Sequence, residues 1–309
     1  MANDYLTIAD HIADAKNLAD FELNELKEAA PLVTRLPVVE SSDGSTHKYS
    51  KKTQAPVVGF RSENDGREFD HSIDTLVTVS LKILDFSWQV DKAVADAWRQ
   101  GGAEALIARE GMTHLKSALF SMEKQLIRGT NASASGFNGF EDSAYLDAVA
   151  DEQVIDAGGT TASTASSCYL IRASETEVAT VMRGDGIMHG ETIVQSVAGA
   201  TGFYPAYYTP GTAWVAGQQG SKYSIVRIAN LTEDAGKGLT DDLLFSAMKL
   251  FPAGLGPNLI VTNPRSAEQL RASRTATNVT GAPAPPVSEV NGVDFLVTDA
   301  IVETESIVA

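Results

Sequence analysis

Residues 103–128 read AEALIAREGMTHLKSALFSMEKQLIR, and Gly129 follows. Leu106, Ile107, Leu115, Ala118, Leu119, Met122 and Leu126 recur at three- and four-residue steps, the spacing of one buried helical face. Arg128 and Gly129 are C-terminal signals: a cation near the last carbonyls, then a residue free to turn left-handed. At about 1.5 Å per residue the helix is about 39 Å long, against a usual length of about 11–12 residues. Gly111 marks a point of bending within it. A helix this long needs a long partner surface, so the segments on either side of it decide the architecture.

Upstream, residues 38–84 read as a long β-ribbon. One arm contains Tyr49 to Phe60, the polar stretch 62–67 makes the turn, and the return arm runs from Phe69 to Leu84. On that arm Ile73, Val77, Val79, Leu81 and Ile83 alternate with Thr78, Ser80 and Lys82. At about 3.3 Å per residue the return arm approaches 50 Å, far beyond a usual strand of about 5–6 residues. A two-stranded ribbon is marginal alone and has two open edges, so its own body or another subunit must support it; two strands of a regular sheet is the plainer alternative. Residues 7–30 carry Ile8, Ile12, Ala15, Ala19, Leu23 and Leu26 at helical spacing, with Thr7 as cap and Pro31 as stop. Residues 1–30 hold seven acids against Lys16 and Lys27. This is either a surface helix with a solvated acidic face or an arm that lays its apolar stripe on a neighbour. Residues 85–98 (Phe86, Val90, Val94, Ala97, Trp98) read as a short helix capped by Asp85 or Ser87.

Downstream come a loop at 130–139, a helix at 141–152 and the small-residue loop 157–163. From 168 strands and helices alternate: strand 168–173, a helix capped by Ser174 with Glu177 completing a capping box, strand 223–228, helix 240–251, strand 258–262, and helix 264–272 opened by Pro264. A Thr-, Ala- and Pro-rich loop at 273–288 precedes the turn Asn291-Gly292 and strand 293–298.

The chain has 309 residues, 43% hydrophobic and 21% charged, the composition of one large or two small globular domains. Its 40 acids and 24 bases leave a net charge of −16, which argues against broad affinity for nucleic acid. Acids dominate 130–309, 20 to 9, whereas 98–128 has five bases against three acids. Cys168 stands alone, so neither a disulfide framework nor a zinc cage is expected. No secretory h-region and no run of about 18 apolar residues occurs, so a soluble protein of a reducing cytoplasm, without membrane association, is expected. Of the five histidines (His11, His47, His71, His114, His189) no two lie within four residues, which rules out a helical metal pair. Ala235-Gly-Lys-Gly238 lacks the leading Gly and the following Ser or Thr of a phosphate loop, and no Gly-x-Ser-x-Gly elbow occurs. No catalytic residue, metal ligand or cofactor site is expected. The unusual features are ones of shape, and such extended parts are completed by neighbouring copies.

That order of parts resembles the major capsid proteins of tailed double-stranded DNA phages, the Hong Kong 97-type fold. The likeness rests also on Arg128-Gly129-Thr130 followed by Phe137-Asn138-Gly139-Phe140, and on the ending Val290-Asn-Gly-Val-Asp-Phe-Leu-Val-Thr-Asp-Ala-Ile301. The resemblance implies an α+β fold with an N-terminal arm (1–37), an E-loop hairpin (38–84), a peripheral domain holding the spine helix (85–140), an inserted α/β axial domain (141–288) and a return to the peripheral domain (289–309). It implies a non-enzymatic subunit, without cofactor, that assembles as hexamers and pentamers into an icosahedral shell in the host cytoplasm and then belongs to the virion. Its partners are further copies, a separate scaffolding or decoration protein and a portal; the shell encloses double-stranded DNA without binding it specifically. Inter-subunit contact is expected at Ile8, Ile12, Leu23, Leu26, Lys48, Lys51, Lys52, Arg61, Arg67, Val77 and Val79, with the spine defined by Leu115, Leu119, Met122 and Leu126. Acidic axial or arm surfaces are expected to meet basic E-loop or spine surfaces. An encapsulin compartment, which shares the fold, and an α/β enzyme with an unmarked site are the alternatives.

Overall fold

The computed structural model describes residues 28–54, 56–99, 101–142, 146–199, 201–278 and 282–308, without the side chains of Lys52 and Thr53. The expected helix at 7–30 therefore lies outside the described residues, apart from a helical end at Glu28 and Ala29.

In chain order the elements are β1 (Val38–Glu40), β2 (Thr46–Gln54), β3 (Ile73–Ser80), β4 (Lys82–Asp85) and β5 (Trp88–Asp91), then α1 (Lys92–Asp96) and α2 (Gly102–Arg128). There follow β6 (Val154–Asp156), β7 (Ser166–Ile171), β8 (Val178–His189), β9 (Ile193–Ala198), β10 (Phe203–Thr209), β11 (Gly211–Gln219) and β12 (Ile225–Leu231). The chain ends with α3 (Asp241–Met248), β13 (Leu259–Thr262), α4 (Pro264–Ala276), β14 (Glu289–Val290) and β15 (Val293–Val297). They make a four-stranded sheet β1-β8-β11-β4, a three-stranded sheet β5-β10-β9, a six-stranded sheet β14-β15-β13-β7-β12-β6, and the separate ribbon β2-β3.

The six-stranded sheet divides the core by its period of two. On β7, Cys168 and Leu170 join Leu239, Leu244, Ala247, Phe251 and Leu270 beneath α3 and α4. Tyr169 and Ile171 face the other way, into the cluster built on Leu115, Leu119, Met122 and Leu126 of α2. That cluster continues into the four-stranded sheet through Val178, Met182, Ala213 and Val215. Each of the four α2 side chains is buried, and burial stabilises by about 1.5–3 kcal/mol apiece.

Glu123 lies on the same helix, fully buried at 0% exposure. Its Oε2 accepts from the backbone N–H of Leu32 (2.8 Å) and Val33 (3.0 Å), and its Oε1 accepts from the Thr298 hydroxyl. One carboxylate thus ties the root of the N-terminal segment and the end of β15 to the long helix. Burial pushes its pKa up, against the three hydrogen bonds.

Several local expectations are corrected. Helix α2 runs unbroken through Gly111, whose missing side chain admits the His189 ring, 3.2 Å from where a Cβ would stand. Residues 85–98 are only partly helical: Trp88–Asp91 is a strand that pairs with β10, and the helix is confined to the five residues of α1, capped by Asp91. Of the expected helix at 141–152, the described residues show a 3₁₀ turn, Phe140–Asp142, and turns from 146 onward; the Asp142 carboxylate serves upstream backbone instead. The Ser174 capping box is a tight turn into the 12-residue β8, and the Glu177 carboxylate instead accepts from Ser221 and Ser224. Alternation from 168 onward fails because β8 to β11 follow one another without a helix. β8 and β11 belong to the sheet of β1 and β4, and β15 pairs β13 in the six-stranded sheet. The helix start at Pro264 and the Asn291-Gly292 turn (φ 53° and 77°) form as expected, and the side chains of Thr240 and Asn263 cap α3 and α4.

Candidate assembly surface

β2 and β3 pair antiparallel from Thr46↔Ser80 to Gln54↔Ile73, with a bulge between Lys52 and Gln54. The base of this ribbon is fixed to the body. His47 Nε2 lies 2.9 Å from Gln218 Oε1, its ring stacks on Tyr49, and the Tyr49 hydroxyl accepts from the N–H of Gln219 at 3.3 Å. Leu81 packs against Val181 and Ala216, with Val79 and Trp214 beside them. At Leu81 the return arm changes partners: β3 belongs to the ribbon and β4 pairs with β11. The expected 16-residue arm is therefore two strands in different sheets.

The described ladder ends at Gln54, and Pro56 has no N–H to give. The tip is held by side chains. Asp70 accepts from the N–H of Val57 (3.1 Å), Arg67 donates to the carbonyls of Val57 and Gly59, and Arg61 donates to the carbonyl of Asp65. This leaves Val57, Val58, Phe60 and Phe69 exposed at the tip, Phe69 at 88%, and Ile73 and Leu76 exposed along the ribbon. Ile193, Val194 and Phe203 on the β9–β10 hairpin are also exposed. Large apolar side chains held out on a ribbon tip are a candidate interaction surface.

The loop after α2 explains the motif at 128–142. Gly129 has φ 53°, and a Cβ there would overlap the Asp142 carboxylate and the N–H of Gly139. Asp142 accepts from the Thr130 N–H (2.6 Å), the Thr130 hydroxyl (2.5 Å) and the Gly139 N–H (3.2 Å). Gln125 Nε2 donates to the carbonyls of Gly129 and Phe137 at 2.8 and 2.6 Å. The loop is thereby folded back on the helix end, and a cleft of about 490 Å³ separates it from the ribbon. Lys51, Val77, Val79 and Lys82 line its ribbon side, and burial pulls the Lys51 ammonium down to about 8.

Among the described residues, the expected contact residues occupy different places. Ile8, Ile12, Leu23 and Leu26 lie outside the described residues, as does the side chain of Lys52. Lys48 is exposed near the ribbon base, Lys51 and Val77 face the cleft, and Val79 packs on the body. Arg61 and Arg67 shape the tip. Leu115, Leu119, Met122 and Leu126 are buried in the subunit's own core. The aromatic tip was not singled out from sequence: Val57-Val58-Gly59-Phe60 reads as strand, and only the Pro56 before it and the polar turn after it hint that the ladder has ended. Among the described residues, no helix is long and apolar enough to cross a membrane.

No curated protein matches this sequence. Among solved structures, a chain of bacteriophage epsilon15 is 24% identical, with a TM-score of 0.65, over 89% of this chain and 88% of that one. The capsid of bacteriophage JBD30 is 13% identical, with a TM-score of 0.49, over 85% and 88%. An encapsulin complex, SrpI from Synechococcus elongatus PCC 7942, is 11% identical, with a TM-score of 0.42, over 70% and 96%. The epsilon15 likeness gives the Hong Kong 97-type α+β capsid fold, with its E-loop ribbon and spine helix. The family model of the major capsid protein GP7 matches residues 21–309. With ribbon, spine and exposed apolar tip in place, the chain belongs to the family of the major capsid protein GP7, structural subunits of the tailed-phage virion shell.

Proposed function

We propose that this capsid subunit assembles as hexamers and pentamers into an icosahedral shell that encloses double-stranded DNA, and that it acts through its surfaces rather than through a reaction. The observation that carries this reading is the ribbon tip. Val57, Val58, Phe60 and Phe69 are held out on a two-stranded ribbon by Arg67 and Asp70, with their apolar surface open to solvent. A subunit that folded only for itself would lose nothing by a polar tip; one that docks on a neighbour gains about 25 cal/mol for each Å² of apolar surface covered. Segment 1–37, with Ile8, Ile12, Leu23 and Leu26, is the second contact element. Lys48, Lys51, Lys52, Arg61 and Arg67 put cations on the ribbon of a chain whose net charge is −16. The six-stranded sheet is the core of the axial unit. At −16 the shell contains DNA without adhering to it, and scaffolding, decoration and portal proteins are its other partners.

The test is electron microscopy of the purified chain beside deletions of 1–30 and 42–72. The full chain is expected to give uniform closed particles, and each deletion a soluble body that does not close shells. Normal shells from a deletion would remove that element from the contact set, and a discrete dimer of the full chain would overturn the reading. Shells that hold a cargo enzyme and no DNA would assign the chain to the encapsulins.

A further inference from the structure

We propose that residues 299–308 form a strap, locked onto the six-stranded sheet by Arg227 and set by the Glu141 carboxylate at the end of the spine. The root of the strap, Ala300 and Ile301, is buried in the main core. The strap then bonds to the sheet at two points. The Glu305 N–H donates to the carbonyl of Ala165 (2.9 Å), and Val308 exchanges two bonds with the Asn230 side chain (2.8 and 2.9 Å).

Between these points lies a buried charge cluster. Arg227 of β12 donates from Nη2 to Glu305 Oε2 (3.0 Å), from Nε to Ser167 Oγ (3.0 Å) and from Nη1 to the carbonyl of Leu146 (2.8 Å). Ser167 Oγ donates to the same Glu305 oxygen at 2.6 Å. The guanidinium also sits 5.9 Å from the centre of the Tyr169 ring, and the Tyr169 hydroxyl donates to Glu141 Oε1 at 3.4 Å. Arg128 Nε is 3.8 Å from Glu141 Oε2. The groups facing the lock are therefore Arg227, Tyr169, Glu141 and Arg128, two cations against the two carboxylates, while Glu305 Oε1 is buried with no hydrogen-bond partner among the described residues.

A buried pair is strongly destabilised when one partner is removed, because the other is left charged out of water. Burial pushes the Glu305 carboxyl up to about 7; Arg227 pulls it down and the Glu141 charge pushes it further up. The closed strap thus holds a proton more tightly than an open strap, whose Glu305 titrates at its ordinary 4.5. Closure is favoured in full below about 4.5, and that part of its stability is lost as pH rises through about 7. Because Glu141 sits on the loop that ends the spine, strap closure and the position of that loop are linked in both directions: a movement that carries Glu141 away from Arg227 tightens the strap.

Hydrogen exchange of the full-length protein, read by mass spectrometry and corrected for intrinsic rates, tests this. The strap is expected to be about tenfold better protected at pH 6 than at pH 8. Glu141→Gln should shrink that ratio below about threefold. Arg227→Met should raise strap exchange more than tenfold at pH 8, where Glu305 is left charged and unpaired, with the peptide 259–262 still protected. Glu305→Gln, which needs no unpaired charge, should give the pH 6 protection at both. A wild-type strap indifferent to pH, a Glu141→Gln protein that keeps the tenfold ratio, or an Arg227→Met protein with an unchanged strap would overturn the proposal. Should Arg227→Met fail to fold, the Glu141 and Glu305 variants decide alone.

Discussion

Removing Glu123 should cost this subunit several kcal/mol without touching its surface. The carboxylate accepts three hydrogen bonds, two from the adjacent N–H groups of Leu32 and Val33 and one from Thr298, and none of its surface is exposed. Glu123→Ala strands the two buried backbone donors of Leu32 and Val33. Each unsatisfied buried donor costs about 1–3 kcal/mol, and the threonine hydroxyl can turn to another acceptor, so the sum is about 3–5 kcal/mol. Glu123→Gln keeps an acceptor toward Leu32 and Val33, places its NH₂ toward Thr298, and removes a charge whose burial is itself unfavourable; its net cost is about 1 kcal/mol or less. The pH dependence separates the two roles. Burial raises the Glu123 pKa, so its contribution is complete below the ordinary carboxylate value of 4.5 and is lost as pH rises through the folded-state value. The Gln variant should therefore flatten part of the decline in stability above about pH 5. The assay is urea unfolding of the unassembled subunit at pH 5 and pH 8. The reasoning fails if Ala and Gln cost the same, or if Ala costs less than about 1 kcal/mol.

Gly129→Ala should destabilise by about 3 kcal/mol or more, since a Cβ there meets both the Asp142 carboxylate and Gly139 at a left-handed φ of 53°; a melt within a degree or two of wild type would count against this. Phe69→Asp should leave subunit stability within about 0.5 kcal/mol, as expected of a fully solvated position, yet abolish closed shells under the electron microscope. Shell formation should also weaken with added salt, because ribbon cations meet a chain with an excess of acids; light scattering that shows assembly indifferent to ionic strength between 0.05 and about 0.5 M would refute the charge complementarity.

The spine was legible because Leu115, Leu119, Met122 and Leu126 repeat at helical spacing and Gly129 closes the pattern. The Asn291-Gly292 hairpin and the Asn263-Pro264 helix start were legible because their chemistry is local. β8 to β11 were not. Gly184, Gly186 and Gly190 interrupt the apolar alternation, and half of β8 is exposed, so no clean period of two survives. Residues 85–98 misled because Phe86 and Val90 fit a helix while Phe86, Trp88 and Val90 also fit a strand, and only the distant β10 decides between them. Glu141 and Asp142 look like acids of a first helical turn, but their partners are Arg128 and Thr130, upstream. Glu123 and Glu305 could not be read at all. Their partners lie 91 and 78 residues away along the chain, and nothing local distinguishes a buried carboxylate from a solvated one.

The handover at Leu81 makes the ribbon a lever. Its eight-residue strand extends about 26 Å from the base at about 3.3 Å per residue, before the tip loop is added. A rotation of about 10° at the base therefore carries the end of the ladder about 4–5 Å sideways, while β4, on the far side of the same residue, stays in the body sheet. In the proposed shell the tip would then reach neighbours set at different angles, around five-fold and six-fold rings alike, with only the contacts at the ribbon base adjusting.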